Sequence, residues 1–389
     1  MPSTHITAGL TEDHLALRDA VKQFVEERVM PTASEREAKD QYPDDLIPEL
    51  AELGMFGITI EEEYGGSNID YVGYGIIFEE LARGWMGLAS LVYTTSSGGY
   101  LINAFGTDEQ KQRFLPEMAA GKRMSGIALT EPSAGSDLKN IKLTARRDGD
   151  NYILNGTKIF ITHARHADPL VTLAKTDPSV VPAHRGGISL MLIEQNTPGV
   201  SYGSDYQKLG HRGLELCEVI FEDAVVPATN LLGGEEGKGF YQMMSALDRG
   251  RIYMAAASTG MARAALTHAV DYAKQREAFG KSIANHQAIQ MKIADMATKV
   301  ETSRLLYINA ALNTEANGRA SSESSMAKVF ASEAGIEVVY DAMRILGGYG
   351  YIKEFPIERY LRDSLLMPIG EGTNEMLRTI VAREALKET

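Results

Sequence analysis

The spacing of apolar residues predicts helices in the first and last parts of the chain. Between residues 1 and 120, apolar side chains recur at helical intervals, as in Leu17, Val21, Phe24 and Val25 and in Leu46, Leu50, Leu53 and Phe56. From about residue 235 the helical period returns in four stretches, 240–274, 286–317, 322–346 and 373–387. Glycines interrupt this region at Gly280, at Gly318 and at the Gly347-Gly348 pair.

The middle of the chain has a different pattern, in which short apolar runs alternate with turn residues. The runs typical of strands are LTA at 143–145, KIFIT at 158–162, LVTLA at 170–174, ISLMLI at 188–193 and EVIFED at 218–223. The dipeptides Asp148-Gly149 and Asn155-Gly156 are both typical of tight turns. This part is therefore predicted to be a small all-β module.

The order helix, strand, helix predicts an α+β fold in three domains. We expect an N-terminal helical domain over 1–122, a small central β-barrel or sandwich over 123–234 and a C-terminal four-helix bundle over 235–389. Because no low-complexity linker separates them, the three domains are expected to pack closely.

One segment has the length of a membrane span. The 24 residues between Arg83 and Asp108 carry no charge. Their centre, Thr94 to Gly99, consists of threonine, serine and glycine, which a spanning helix would have to bury in lipid. We therefore expect a buried helix of a soluble protein and no membrane span.

Composition and charge narrow the class of protein. With 44% apolar and 23% charged residues the chain is typical of a globular protein, and its net charge of −13 argues against nucleic acid as a partner. The single cysteine, Cys217, allows no intrachain disulfide and no multi-cysteine metal site, and we expect it to face the core of a strand. The N-terminal sequence has no secretory pattern, so a cytoplasmic location is expected, although an organellar form with its transit peptide removed stays open.

Common catalytic fingerprints are missing. Residues 233–238 only imitate a P-loop, and 347–351 lack the third glycine of a dinucleotide-binding turn. The sequence contains no HExxH zinc motif and no GxSxG nucleophile elbow. These absences disfavour a P-loop enzyme, a Rossmann dehydrogenase and a zinc hydrolase.

Four motifs in order along the chain carry a family resemblance. They are ALTEPSAGSD at 128–137, NGTKIFITHARHAD at 155–168, QREAFGKSIANHQ at 275–287, and the pair RILGGYGY at 344–351 and IGEGTNEMLRTIVAR at 369–383. Over essentially its whole length the chain resembles the acyl-CoA dehydrogenase family of flavoproteins. The resemblance implies an FAD enzyme that converts an acyl-CoA thioester to the trans-2-enoyl thioester, with the α-proton passing to a carboxylate and the β-hydride to N5 of FAD.

The resemblance identifies Glu371 as the base that takes the α-proton. Desolvation would help it by raising its pKa toward the working pH. A plainer interpretation is a first-turn acid stabilised by the helix that follows, which Thr373 or Asn374 would cap. Some family members carry the base at the position of Gly250, and glycine cannot take a proton.

The resemblance also implies binding residues. Those for the cofactor are Leu129, Thr130, Ser136, Phe160, Ile161, Thr162, Arg276, Phe279, Gln287, Arg344, Gly347, Gly348, Thr373 and Glu375. Those for the CoA substrate are Ser136, Asp248, Arg251 and Gly372. Two plainer interpretations stay open, β-propensity for Thr130 and Thr162 and an ordinary helical ion pair for Asp248 and Arg251. Arg276, Phe279 and Gln287 resemble residues that reach the FAD of a neighbouring subunit, which implies a homotetramer built as a dimer of dimers.

Departures from the family pattern bear on the substrate. Phe160 stands where Trp is usual, Gly370 where Tyr is frequent, His163 where Asn is commoner, and Arg344 where Gln is frequent. The first two remove volume beside the reacting carbons, so we expect a short, branched or cyclic acyl group. Tyr93 aligns with the helix that floors the acyl tunnel in relatives, and its ring is expected to shorten that tunnel. His163 is expected to be a hydrogen-bonded turn histidine.

Three functions remain open at this point. The first is an acyl-CoA dehydrogenase that passes electrons to electron-transferring flavoprotein. The second keeps the fold and flavin but acts on a carrier-protein-bound acyl group or another unusual substrate, and the third is a non-catalytic subunit. Intact Glu371, Thr130 and Thr162 argue against the third, whereas Asp248 and Arg251 favour CoA over a carrier protein.

Overall fold

The computed structural model describes residues 10–387. Its N-terminal part is helical, as the apolar spacing predicts, and the helices are α1 (Glu12–Phe24), α2 (Met30–Ala38), α3 (Ile47–Glu52), α4 (Tyr71–Gly84), α5 (Met86–Phe105) and α6 (Asp108–Ala119). One expectation is wrong in part, because α3 ends before Leu53, which is 38% exposed. Gly54 follows with a left-handed φ of 71° and ends the helical run, so that Phe56 is buried from a turn.

The uncharged segment forms α5, which is a buried helix as expected. Thr59 donates a hydrogen bond of 2.7 Å to the Ser96 carbonyl, and the Ser96 hydroxyl donates one of 3.0 Å to the Tyr93 carbonyl. Between residues 10 and 387 there is no helix with both the length and the apolar character needed to cross a membrane.

The central part contains the strands β1 (Met124–Ala128), β2 (Thr144–Asp148), β3 (Asn151–Thr162), β4 (Ala167–Lys175), β5 (Ile188–Ile193), β6 (Val200–Tyr202) and β7 (Leu216–Pro227). They form one sheet in the order β1-β4-β2-β3-β7-β6, and β5 pairs with β4. All five predicted runs fall in or overlap strands, and Cys217 is buried on β7 as expected. Sequence reasoning missed the three-residue β6, which is too short to show a pattern.

Only one of the two predicted turns is a turn. Asp148 pairs with Asn151, so Asp148-Gly149 starts the β2–β3 hairpin. Asn155-Gly156 lies inside β3, where the pairing register shifts between Leu154 and Gly156. A Cβ on Gly156 would lie 2.9 Å from the Leu143 Cα, so this glycine allows a bulge and a close approach instead of a turn.

The C-terminal part is helical and matches the predicted stretches closely. Its long helices are α7 (Gly239–Gln275), α8 (Gln287–Asn317), α9 (Ser321–Leu346) and α12 (Asn374–Ala385), with α10 (Gly348–Tyr351) and α11 (Ile357–Ser364) before the last. Between α7 and α8 lies a small hairpin of β8 (Glu277–Ala278) and β9 (Lys281–Ser282). The four long helices pack together as a bundle, and α4 packs along α7. The expected α+β architecture is confirmed.

Candidate active site

Glu371 lies in a strained turn just before α12. Its φ is 55°, a left-handed value that is uncommon outside glycine, and Gly372 continues the turn with a φ of 88°. The helix begins directly afterwards, with Thr373 as its N-cap, since the Thr373 hydroxyl accepts a hydrogen bond of 3.4 Å from the Met376 amide. Of the two predicted caps, Thr373 is therefore the right one.

The Glu371 carboxylate points into the protein, at the surface of α7. Its Oε2 atom is buried and accepts no hydrogen bond within the described residues. A Cβ on Gly250 would lie 2.5 Å from this oxygen and closer still to the Tyr93 hydroxyl, so glycine leaves the room that both groups occupy. Burial raises the pKa of Glu371, although Tyr93, Arg251 and Lys328 act to lower it.

A buried lysine donates hydrogen bonds to the turn that contains Glu371. Lys328 of α9 is fully buried, and its Nζ donates hydrogen bonds of 2.9 Å to the Gly372 carbonyl and 2.9 Å to Asn374 Oδ1. Asn374 in turn donates one of 3.0 Å to Ser332. Burial lowers the pKa of Lys328 to about 8, against the attraction of Glu371. Sequence reasoning missed this residue, although a lysine beside Ala327 and Ala331 on a buried helical face is the signal that pointed to it.

Aromatic side chains close the space beside Glu371. Tyr93 of α5 stacks on Tyr253 of α7 with ring centroids 3.9 Å apart, and Phe78 of α4 meets Tyr253 edge-on at 4.8 Å. Tyr74 is fully buried, and its hydroxyl has no hydrogen-bond partner among residues 10–387. Aromatic rings therefore border the Glu371 side chain, and Glu371 Oε2 and Tyr74 Oη are buried there without a hydrogen-bond partner among the described residues.

The ends of β1 and β3 bring together the first group of predicted flavin residues. Leu129 and Thr130 follow β1, and the Thr130 carbonyl accepts a hydrogen bond of 2.9 Å from the Ile159 amide on β3, the strand of Phe160, Ile161 and Thr162. Phe160 has a left-handed φ of 56° and is 55% exposed. Ser136 is exposed in the turn that follows.

A second buried lysine, also missed from the sequence, fastens these two strands. Lys158 Nζ lies 2.8 Å from Glu131 Oε1 and donates a 2.9 Å hydrogen bond to the Leu129 carbonyl. Glu131 also accepts from the Lys142 and Leu143 amides. Glu131 lies in the motif at 128–137 and Lys158 in the motif at 155–168, so their place in these motifs was the sequence signal for them. They fix the backbone on which the predicted flavin residues stand.

A separate groove of about 450 Å³ contains the second group of predicted flavin residues. Arg276, Gly347 and Gly348 line it together. Nothing lies within 4 Å of a Cβ built on either glycine, so the backbone there is open to a ligand. Arg344, at the end of α9, is 54% exposed and contacts Asp341 at 3.3 Å.

The remaining predicted cofactor residues are surface residues of the chain. Phe279, between β8 and β9, is 96% exposed with a φ of 53°, and Gln287 is exposed at the start of α8. Glu375 is exposed in the first turn of α12. A guanidinium, an open glycine backbone and an exposed ring fit the phosphates and flat rings of FAD.

Two of the four predicted CoA residues, Asp248 and Arg251, form a buried ion pair. Arg251 donates to Asp248 from the next turn of α7, and Asp248 also accepts hydrogen bonds of 2.6 Å from Arg319 and from Ser321. Burial lowers the pKa of Arg251, which Asp248 and Glu371 act to raise. The helical ion pair left open by the sequence is thus present, and a role toward CoA stays a prediction.

Only one of the two ring nitrogens of His163 has a hydrogen-bond partner among the described residues. Its Nε2 lies 2.6 Å from the Tyr42 hydroxyl, whereas its buried Nδ1 has no partner within residues 10–387. Burial lowers the pKa of His163 to about 4, so the ring is neutral at physiological pH. Hydrogen bonding to Glu215 raises the pKa of the neighbouring His166.

Known proteins are similar to this chain along nearly its whole length. Residues 11–122, 126–224 and 237–386 match the family models for the N-terminal, middle and C-terminal domains of acyl-CoA dehydrogenase. An acyl-CoA dehydrogenase of Bacillus subtilis is 42% identical over 98% of this chain and all of its own length. Butyryl-CoA dehydrogenase from Megasphaera elsdenii is 39% identical, with a TM-score of 0.92 over 97% of this chain and 99% of that one. The prolyl acyl carrier protein oxidase AnaB is 30% identical, with a TM-score of 0.91 over 96% and 99%.

The fold and the matches along the chain together identify a flavin-dependent oxidoreductase. The chain belongs to the acyl-CoA dehydrogenase family, whose members use FAD.

Proposed function

We propose that this protein oxidises an acyl-CoA thioester to its trans-2-enoyl form, with Glu371 as the base that removes the α-proton. The carrying observation is the Glu371 carboxylate, whose Oε2 is buried near Tyr93 and has no hydrogen-bond partner among residues 10–387. An acceptor with a free lone pair and a raised pKa is suited to take a proton near neutral pH. FAD, when bound, supplies the acceptor for the β-hydride.

The surroundings of Glu371 support a short, branched or cyclic acyl group. The stacked Tyr93 and Tyr253 rings limit the depth of the pocket. Beside the base, Gly370 has no side chain, and its nearest neighbour for a Cβ would be Met254 Cε at 3.4 Å. Rings that limit depth, together with a missing side chain at position 370, would favour width over length in the acyl group.

We assign the two groups of cofactor residues to two parts of FAD. Leu129, Thr130 and Thr162 are proposed to meet the flavin ring, with Ile161 and Phe160 beside them. Arg276, Gly347 and Gly348 are proposed to receive the phosphates, where a guanidinium can pair with phosphate oxygens.

The exposure of Phe279 and Gln287 supports an assembly in which a partner subunit covers them. The Phe279 ring is 96% exposed on one chain and is therefore available for contact with a partner subunit. We propose a homotetramer built as a dimer of dimers, with electron-transferring flavoprotein as the electron acceptor.

CoA is the proposed carrier, with the paired Asp248 and Arg251 and the exposed Ser136 as its contacts. A carrier-protein thioester is the second candidate, because a relative of the same fold is a prolyl acyl carrier protein oxidase. Competition between a free acyl-CoA and the same acyl group on carrier protein distinguishes the two.

An anaerobic titration tests the proposal. The purified protein, loaded with FAD, is titrated with short, branched, cyclic and long acyl-CoAs while flavin absorbance is recorded. We expect short or branched thioesters to bleach the flavin and Glu371→Gln to remain oxidised. Bleaching only by carrier-bound acyl groups would favour the second candidate, and a long straight chain that outperforms all others would refute the substrate class.

A further inference from the structure

Arg249 is a buried cation without an anionic partner. Its side chain is packed against three tyrosine rings, with the guanidinium carbon 4.3 Å from the centroid of Tyr71, 4.8 Å from Tyr74 and 5.1 Å from Tyr100. The residue is 7% exposed, its Nε is buried without a partner, and it forms no ion pair or hydrogen bond among residues 10–387. The other two arginines of α7 each pair with a carboxylate, Arg251 with Asp248 and Arg263 with Glu80.

We call Arg249 and the rings of Tyr71, Tyr74 and Tyr100 the cage. The acidic groups close to it already accept hydrogen bonds from other residues. Asp248 accepts from Arg251, Arg319 and Ser321, and Glu315 accepts from the Tyr71 amide at 2.5 Å. Neither therefore serves as the counter-ion of Arg249. A guanidinium removed from water without an acceptor is unfavourable, and rings compensate for this only in part.

The arginine and the base lie near consecutive residues of α7 and have Tyr74 as a common neighbour. Arg249 directly precedes Gly250, whose surface holds the Glu371 carboxylate. Tyr74 connects the two, since its ring contacts Arg249 and its unpartnered hydroxyl lies within electrostatic reach of both Arg249 and Glu371. Three buried polar groups, Arg249 Nε, Tyr74 Oη and Glu371 Oε2, thus lack partners in one region where α4, α5 and α7 meet.

We propose that the acyl group of the substrate carries a carboxylate and that Arg249 binds it, with the Tyr74 hydroxyl as a second donor. This inference rests on the proposed function, because it names the substrate class of the same site. The carboxylate supplies the missing counter-ion and can accept from the planar fork of the guanidinium. The substrate is then a short dicarboxylic acyl thioester, in which the second carboxylate is the distinguishing group.

The test compares two thioesters of equal size, a carboxyacyl-CoA and its uncharged primary-amide analogue. We expect the wild-type protein to prefer the carboxylate, and Arg249→Met to reduce the ratio of the two kcat/KM values by about 10- to 150-fold, the range for hydrogen bonds to charged groups. Arg249→Lys keeps the charge without the fork and should retain part of the preference. Arg319→Met, which removes a nearby cation outside the cage, should leave the ratio unchanged.

A binding measurement keeps the test independent of turnover. In Glu371→Gln, calorimetric titration of both thioesters should show the same carboxylate preference and its loss in Glu371→Gln/Arg249→Met. Equal affinity for both thioesters in the wild type, or an equal loss for both in Arg249→Met, would overturn the inference and leave Arg249 a packing residue. Failure of every acyl-CoA to reduce the flavin would instead refute the proposed function.

Discussion

Glu371 combines a strained backbone with a desolvated carboxylate. A single lysine holds the turn by hydrogen bonds and acts electrostatically on the carboxylate. Lys328 donates to the carbonyl of Gly372 and to Asn374, on the far side of the turn from the carboxylate. Its charge also acts to lower the pKa of Glu371. Lys328 is therefore a positioning residue whose loss should alter geometry and titration together.

Replacement of Lys328 by methionine tests this role. The Gly372 carbonyl and Asn374 Oδ1 lose their hydrogen bonds from Lys328, so we expect the free energy of unfolding to fall by about 1–3 kcal/mol. We also expect a lower kcat, and a pH profile of kcat/KM whose acid limb moves to higher pH because the cation beside Glu371 is gone. Lys299→Met, on a surface ion pair with Glu337, is the matched control. A variant that is less stable but has an unshifted acid limb would show that Lys328 only supports packing.

The raised pKa of Glu371 predicts opposite effects of ionisation on activity and on stability. Because the ionised base is required, kcat/KM should rise with pH through a value above that of an ordinary glutamate. Because the folded pKa exceeds the unfolded one, the stabilisation by neutral Glu371 is full below the unfolded pKa and is lost as pH rises through the folded pKa. Glu371→Gln should therefore have a higher Tm than the wild type at neutral pH, and the gap should close in acid. An equal Tm at both pH values would contradict a desolvated carboxylate.

Single residues also show where sequence reasoning stops. Glu371 and its cap could be predicted because the string around them is distinctive. Lys158 and Lys328 were missed despite a motif and an apolar helical face around them, since charged side chains are ordinarily assigned to the surface. The burial of Arg249 could not be predicted, because it depends on tyrosines far away in sequence. The role of Asp248 and Arg251 stayed open, because spacing alone does not distinguish a structural ion pair from residues that contact a ligand.

At the scale of elements, α5 does the most to shape the site. It contacts β1 at Gly98, where a Cβ would collide with Ser125, and it carries Tyr93 to the Glu371 carboxylate. The long helices 240–274, 286–317 and 322–346 were predictable because their period is sustained and glycines follow their ends. The bulge at Asn155-Gly156 was not predictable, because its glycine is required by a contact with Leu143 that the local sequence does not show.

Tyr93→Leu tests the role of α5 in chain-length selection. Removal of the ring opens space beside Tyr253, so the acyl chain with the highest kcat/KM should become longer. Tyr93→Phe keeps the ring and should leave the length preference as it is. Measured over a series of straight-chain acyl-CoAs, an unchanged optimum in Tyr93→Leu would show that another residue limits the pocket.

At the scale of the whole molecule, two groups of the predicted cofactor residues lie in separate places. One group lies at the ends of β1 and β3, and the other lies in the groove at Arg276 and Gly347-Gly348. The α+β architecture was predictable from the order of periodicities, whereas the domain limits 1–122, 123–234 and 235–389 stay a prediction. How subunits meet could not be predicted from residue patterns, because interfaces are defined by surfaces brought together only after folding.

Gly348→Val tests the groove without disturbing the fold. A Cβ there meets nothing within 4 Å, so we expect stability to change by no more than about 0.5 kcal/mol. The added side chain should obstruct the phosphates and lower the FAD bound per subunit, measured from flavin and protein absorbance. Ala316→Val, on an exposed turn of α8, introduces the same valine side chain away from the groove and is the control. Full FAD occupancy in Gly348→Val would exclude this groove as the phosphate site.

The most direct measurement of the central claim is a single-turnover reduction of bound flavin by an acyl-CoA deuterated at C2. In the wild type we predict slower bleaching with the deuterated thioester than with the ordinary one, because the α-proton leaves in the measured step. In Glu371→Gln, with FAD content and thioester affinity retained, the rate should fall by at least about 100-fold, as expected for loss of a general base. Bleaching of Glu371→Gln at the wild-type rate, with the isotope effect intact, would show that another group takes the proton.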